Sequence, residues 1–323
     1  MAVELWALRN TAINLVDQGS LALSSLVSYP TGAPQIQNPS DPLFADGQFY
    51  ALSAATETMF KVDPVIYALT RATITPQTNA NLTRLISTPQ GLLVSDPVND
   101  KLILVDPDDL SVLSSTAVTM DSGGGMAYRS PYVYLARLTT NQILVWDPAT
   151  LSTVTTISTG AGIDNRPIDV HEAGGDIYFT TLQDLKKIDT SSNTVVATLS
   201  LAAGGSPTGL TSDSTALFHM NGTGGSRWIK RIDLQTFAVT ATASGDDYLT
   251  GEQGLVSDGT NLFYSAAAGT NASRIVRLDA ITLAVEATSV LLGEQPELAF
   301  VGTAPPGPSG GSSISVGRAR AWR

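Results

Sequence analysis

Three acidic residues sit where a metal could be held: Asp164 in GIDNRP, Glu252 in GEQG and Glu294 in GEQP. The triplet GEQ at 251–253 recurs at 293–295, so Glu252 and Glu294 occupy equivalent places in a repeating unit. Convergent oxygen donors suit Ca²⁺, and such a set would take a divalent cation or a sugar. Asp41, Asn165, Arg166, Gln253 and Gln295 share the same kind of loop. The plainer alternative is loop turns and solvated charge on an acidic surface, and it is the expectation adopted: no metal, with Ca²⁺ as the cofactor that would fit.

IDVHE places Asp169, His171 and Glu172 close in sequence. On a strand, Asp169 and His171 share a face and Glu172 points away. No motif sets a Ser beside them, so no nucleophile and base are paired and His171 reads as a surface or turn-supporting residue. His219, in the apolar strand ALFHMNG, reads as a packed side chain. DPDD at 106–109 lacks the spacing of a calcium loop, and DSGGG at 121–125 lacks the Lys-Ser/Thr of a phosphate loop. Both read as turns.

Composition narrows the chemistry further. The 323 residues include no Cys and two His, and 18 Lys and Arg stand against 29 Asp and Glu, a net charge of −11. Thiolate nucleophiles, disulfides and zinc thiolate sites are excluded. The charge disfavours a nucleic-acid partner, whose binding rests on clustered cations. Nothing approaches eighteen uninterrupted apolar residues, so no membrane span is expected. The stretch MAVELWALRNTAINLVDQGS lacks the basic start and unbroken apolar run of a secretory signal.

The elements that must carry these residues repeat. An apolar run, an Asp and an alternating strand recur at Asp17, Asp63, Asp106, Asp147, Asp189, Asp233 and Asp279, with separations of 46, 43, 41, 42, 44 and 46 residues. Periods in the forties, rich in Val, Ile, Thr and Tyr and broken by Gly, Pro, Asn and Asp, are those of propeller blades. The Asp falls between the third and fourth strands of each unit and is followed by Pro at 64, 107 and 148. An Asp opening a turn accepts the turn's own N–H groups, so the seven carboxylates read as structural. Before Asp17 there is room for two strands only, while QPELAFVG at 295–302 is a spare inner strand. An all-β, seven-bladed propeller of four-stranded blades follows over residues 1–302. Its C-terminal strand completes the N-terminal blade and removes the open edges.

Residues 185–210, LKKIDTSSNTVVATLSLAAGGSPTGL, resemble the YVTN-type β-propeller repeat: apolar-Ile-Asp-Thr, polar residues, Thr-Val-Val-Ala-Thr, then Gly-x-Pro-x-Gly. The resemblance implies the propeller fold. For function it implies a surface, binding or occasionally enzymatic domain. Related propeller hydrolases bind a metal through Glu, Asn and Asp at the channel mouth, which implies for Asp164, Glu252 and Glu294 the lactonase- or lyase-like alternative.

Residues 303–323, APPGPSGGSSISVGRARAWR after Thr303, form a Pro/Gly/Ser-rich arm with a basic end. Arg318, Arg320, Trp322 and Arg323 are of the residue types that anchor protein interfaces. The expectation is a non-enzymatic structural or interaction propeller, bound through this arm to protein partners or to copies of itself. A bacteriophage virion protein (tail, collar or decoration) reaches the exterior by lysis and fits an exported-type repeat without a signal. The locations expected are therefore the virion or the extracellular space, and otherwise the cytoplasm. A glycan- or polymer-binding propeller is the third reading. It wants aromatic platforms, whereas aromatics are 7% of the chain and the adjacent Phe49 and Tyr50 must face opposite ways on a strand.

Overall fold

The computed structural model describes residues 4–9, 12–28, 39–53, 56–74, 82–120, 124–201, 207–221, 228–244, 253–267, 273–290, 292 and 297–301. These form seven antiparallel four-stranded sheets. From axis to rim, the first blade is Glu297–Val301, Glu4–Leu8, Ala12–Val16 and Leu23–Ser28; the second is Pro39–Ala45, Gln48–Ser53, Thr58–Val62 and Leu69–Thr73. The third is Arg84–Thr88, Gly91–Asp96, Lys101–Val105 and Val112–Ala117; the fourth is Met126–Arg129, Tyr132–Arg137, Gln142–Asp147 and Ser152–Ser158. The fifth is Val170–Ala173, Asp176–Thr180, Asp184–Asp189 and Thr194–Ser200; the sixth is Pro207–Ser212, Ala216–Asn221, Trp228–Asp233 and Val239–Ser244. The seventh is Gln253–Ser257, Asn261–Ala267, Ser273–Asp279 and Val285–Thr288.

Each inner strand touches the inner strands of the two neighbouring blades, so the ring is closed. Closure runs through Glu297–Val301, which pairs with Glu4–Leu8 from Glu4 opposite Val301 to Leu8 opposite Glu297. The seven-bladed propeller expected from the repeat is present, including the blade shared between the two chain ends.

Burial follows from this geometry. Middle strands pack a neighbouring blade on both faces, so Gly91–Asp96 and Ala216–Asn221 are buried at every position. Rim strands pack on one face only and alternate, as in Thr194–Ser200. The sequence pattern of an apolar run followed by an alternating strand is therefore a middle strand followed by a rim strand. The core is divided among seams: seven hydrophobic clusters each join two adjacent blades. Leu5 and Ala7 face the seventh blade while Trp6 and Leu8 face the second. Phe49 and Tyr50 likewise enter opposite seams.

The repeated carboxylates close turns. Asp233 Oδ1 accepts Gln235 N, Thr236 N and Thr236 Oγ1 at 3.1, 2.7 and 2.8 Å, and Asp279 Oδ1 does the same with Ile281 and Thr282. Asp17, Asp63, Asp106, Asp147 and Asp189 each accept a backbone N–H two or three residues on. Hydrogen bonds to these turns hold the carboxyls of Asp17, Asp63, Asp189, Asp233 and Asp279 below their ordinary range.

The turns also act between blades. In all seven, the residue four after the Asp has positive φ, between 51° and 62°: Leu21, Tyr67, Leu110, Leu151, Asn193, Phe237 and Leu283. A left-handed backbone costs an L-residue other than Gly or Asn about 1–2 kcal/mol. Here the side chain enters the seam with the preceding blade. Leu21, Leu110 and Leu283 belong to seam clusters, Tyr67 meets Trp6, and Phe237 meets Tyr178 with ring centroids 5.8 Å apart. Asn193 accepts from Tyr134 Oη at 3.0 Å. A second connection runs forward from the position two before the Asp. Lys61 Nζ donates to Pro107 and Asp108 O on the next blade's turn, both at 2.9 Å, and Arg277 Nη1 donates to Gln18 and Gly19 O on the first blade.

Candidate functional site at the channel mouth

Loops enter the inner strands at the end of the propeller opposite the Asp turns, and the buried polar side chains gather toward that end. Arg84 opens the inner strand of the third blade and Asp169 immediately precedes that of the fifth. They meet across the fourth blade, Arg84 Nη2 to Asp169 Oδ1 at 3.7 Å, with side chains 3% and 5% exposed. Gly125 makes room for this crossing. Its N–H donates to Ile168 O at 2.8 Å, and a Cβ there would lie 2.3 Å from Val170 N and 2.4 Å from Asp169 Oδ1. No side chain fits, so Gly125 of the DSGGG stretch is fixed by packing against the fifth blade. Residues 121–123 of that stretch lie outside the described residues.

Asp169 Oδ1 also accepts Val170 N at 3.0 Å, and Oδ2 has no hydrogen-bond partner among the described residues. Burial raises the Asp169 carboxyl above its ordinary range, and the Arg84 guanidinium opposes that shift.

His171 corrects the surface reading made from the sequence. It is buried, 4% exposed, and faces the sixth blade, where Nε2 lies 2.9 Å from Ser212 Oγ. Inner strands are covered on both flanks by neighbouring blades, so polar alternation there does not mean solvent. A Ser–His contact is the first link of a nucleophile and base. The second link is missing: His171 Nδ1 has no hydrogen-bond partner among the described residues, and burial pushes the imidazole down to about 4, which makes it a weak base at neutral pH.

His219 is packed, as its apolar strand implies, and lies in the same region of the seam between the fifth and sixth blades. Its ring meets Trp228 edge-on at 5.0 Å, and Lys230 Nζ stands 4.4 Å from the Trp228 ring centre. Lys230 crosses the seam to donate to Leu201 O. Burial, with Lys230 adding to it, pushes His219 down to about 3.

One seam earlier, Lys186 has an equivalent role. Its Nζ donates to Thr159 O at 2.8 Å and to Asn165 Oδ1 at 2.6 Å. Asn165 also donates to Ala161 O at 2.7 Å, and Thr159 Oγ1 donates to Asn165 O at 2.6 Å. The loop 159–166 is thus folded around a buried ammonium.

Of the three predicted metal residues only Asp164 is among the described residues. Asp164 is exposed on the short 3-10 turn Ile163–Asn165, and Asn165 is engaged with Lys186. Glu252 and Glu294 lie outside the described residues, as do Arg318, Arg320, Trp322 and Arg323 and the rest of the arm 303–323. Among the described residues no group of three His, Asp or Glu could hold a metal ion, and no helix is long and apolar enough to cross a membrane. Sequence reasoning missed Arg84, Ser212, Lys186 and Lys230. The lysines had a signal in LKKID and IKRID, where Lys recurs three residues before the Asp on a strand that is otherwise core.

No protein-family profile matches the chain, and no curated protein matches it in sequence. Solved structures do match in fold. A protein of unknown function from Desulfotomaculum acetoxidans superposes with a TM-score of 0.70 at 12% identity over 92% of this chain and 98% of its own. A protein from Bacteroides uniformis, whose name proposes 6-phosphogluconolactonase activity, gives 0.69 at 14% identity over 92% and 99%. A catalytically inactive virginiamycin B lyase from Staphylococcus aureus, solved with quinupristin, gives 0.65 at 14% identity over 98% of both chains. At these identities the likeness establishes the propeller and leaves the chemistry open.

Proposed function

We propose that this chain is a non-enzymatic interaction propeller, a component of a larger protein assembly held through its C-terminal arm, and that the assembly is a phage virion. One observation carries the non-enzymatic part. The described side chains best able to do chemistry are engaged in joining blade to blade: Arg84 with Asp169, His171 with Ser212, Lys230 with Leu201 O, and Lys186 with the loop between the fourth and fifth blades. The anchor Asp residues serve turns. The arm, with Arg318, Arg320, Trp322 and Arg323, carries the residue types that anchor partners. The virion part rests on the exported-type repeat that residues 185–210 resemble.

Light scattering on size-exclusion fractions tests the reading, comparing the full chain with a version ending at Gly302 that keeps all 28 strands. Association of the full chain alone is the expected result. Monomers in both samples would remove the arm as an association element. A metal-dependent lactonase- or lyase-like hydrolase is the alternative, supported by fold likeness to proteins named as a lyase and for 6-phosphogluconolactonase activity. It requires a cation on Asp164, Glu252 and Glu294. A rise in melting temperature on adding Ca²⁺, lost when these three are changed to Gln or Asn, would put it ahead.

A further inference from the structure

One turn departs from its sisters. At the second and third positions after the anchor Asp, five blades carry small or polar residues: Gly19 and Ser20, Asp108 and Asp109, Ala149 and Thr150, Ser191 and Ser192, Gln235 and Thr236. The seventh has one aliphatic there, Ile281. The second blade has two in a row, Val65 and Ile66, 65% and 70% exposed. The turn holds them outward. Asp63 Oδ1 accepts Val65 N at 2.8 Å and Ile66 N at 3.2 Å, and Tyr67 N donates to Asp63 O at 2.8 Å. The Tyr67 ring meets Trp6 in the seam, with centroids 6.2 Å apart. Two adjacent aliphatic side chains in water gain free energy when a partner covers them. Because the turn is fixed beforehand, little ordering entropy opposes that docking.

Carboxylates surround this apolar tip. Lys61 donates from the second blade to Pro107 and Asp108 O, and Tyr50 Oη donates to Pro107 O at 3.2 Å, so the turns of the second and third blades are neighbours. The third blade's turn brings Asp106, Asp108 and Asp109, and the hairpin between Pro39–Ala45 and Gln48–Ser53 brings Asp46. Asp46, Asp108 and Asp109 are exposed. Burial, and after it the charges of Asp46, Asp108 and Asp106, push the Tyr50 phenol up to about 12, so these carboxylates share one neighbourhood. Lys61 lies among them with its ammonium engaged by backbone carbonyls. An apolar centre within a charged margin is the anatomy of a docking surface. We infer that Val65 and Ile66, with Asp46, Asp108 and Asp109, dock a segment of a partner protein in which apolar or aromatic side chains are interleaved with Lys or Arg. The sign of the margin selects this occupant. A second copy would bring the same carboxylates against these, and an anionic lipid surface would be repelled in the same way. The surface extends the reading of the ring as an interaction module and does not depend on the arm 303–323.

The probe is a fluorescently labelled synthetic peptide of alternating Lys and Leu with a central Trp. Its binding to the full chain is read by anisotropy at low and at physiological salt. Three variants are compared with the unchanged chain: Val65→Ser/Ile66→Ser, Asp108→Asn/Asp109→Asn, and Ile281→Ser as an equally exposed control on another blade. Saturable binding is expected for the unchanged chain and for Ile281→Ser. The Val65→Ser/Ile66→Ser change should weaken it about tenfold at both salt concentrations, as truncation of anchoring side chains does. The Asp108→Asn/Asp109→Asn change should weaken it at low salt and flatten the salt dependence. If the Val65→Ser/Ile66→Ser protein does not fold, Ile66→Lys reads the same site, since a cation there should repel the peptide. Binding that falls with the Asn changes but not with the Ser changes would mean a general attraction to acidic surface, and the site would be refuted. An equal loss in Ile281→Ser refutes it as well. Absence of saturable binding to the unchanged chain overturns the inference. Binding of phosphatidylcholine vesicles in place of the peptide, lost in Val65→Ser/Ile66→Ser, would make the occupant a membrane and overturn it too.

Discussion

Mild acid should weaken this propeller through its only two histidines. Both are buried in the seam between the fifth and sixth blades, His171 beside Ser212 and His219 beside Trp228 and Lys230. Their native values are about 4 and about 3, against an ordinary 6.5. The unfolded chain therefore takes up protons first. Stability is complete above the ordinary value and is lost as pH falls toward the native ones. With the native values well below 5, each histidine removes about 2 kcal/mol between pH 7 and pH 5, together about 4 kcal/mol. That is a large part of the roughly 5–15 kcal/mol by which domains are stable. The perturbation that isolates the effect is His219→Phe, which keeps a ring against Trp228 and removes two nitrogens that lack hydrogen-bond partners among the described residues.

Urea unfolding at pH 7 and pH 5 measures it. At pH 7 the variant should be more stable by about 1–2 kcal/mol, the cost of unsatisfied buried polar atoms. From pH 7 to 5 it should lose about 2 kcal/mol where the parent loses about 4. Asp169 and Glu172, whose carboxyls burial raises, bind protons more readily in the native chain and work in the opposite sense. They do so in both proteins and drop out of the difference. The anchor Asp carboxyls, held low by their turns, matter only at lower pH. Equal losses in parent and variant would refute the claim that His219 is buried and neutral.

Other substitutions test the seams. Gly125→Ala places a methyl 2.3 Å from Val170 N and should lower the melting temperature sharply, whereas Gly19→Ala, whose methyl would meet nothing nearer than 3.4 Å, should do far less. Arg84→Leu leaves Asp169 buried without its cation and should cost about 3–5 kcal/mol in denaturant unfolding; adding Asp169→Leu should recover most of the loss, and no recovery would mean that the pair is not the reason. Leu110→Ala empties a seam position while keeping the left-handed turn, and should cost about 2–4 kcal/mol by the same assay.

Most of the fold was legible because the repeating unit is local. An Asp that accepts the N–H two residues on, an apolar middle strand and an alternating rim strand all fall within about twenty-five residues, and the missing inner strand near Asp17 announced the shared blade. The turn's second function was written in the same place, as a bulky residue four after the Asp in six of seven units. It stayed hidden because Leu, Tyr and Phe are poor residues for positive φ. Asn193 alone has the expected chemistry, in the unit that resembles the YVTN repeat. The seam contacts were illegible for a different reason. Arg84 and Asp169, or His171 and Ser212, are joined by blade adjacency, which no local pattern encodes. Burial of inner strands on both flanks also turns a polar-looking stretch such as IDVHE into interior.

The turn side chains have a direction: six of the seven enter the seam with the blade made before them, and Leu21 enters the seam with the seventh. Each seam takes side chains from both of its blades, so one apolar flank of a blade is covered only by its successor in the chain. The last seam inverts that order. The seventh blade is covered by Leu21, Leu5 and Ala7 of the first, and these emerge long before it. The sheet that carries them lacks its inner strand until Glu297–Val301 is made. Leu5 and Ala7 therefore find their native neighbours only once the seventh blade and Glu297–Val301 are made, whereas Trp6 and Leu8, on the other face of the same strand, meet the second blade soon after they are made.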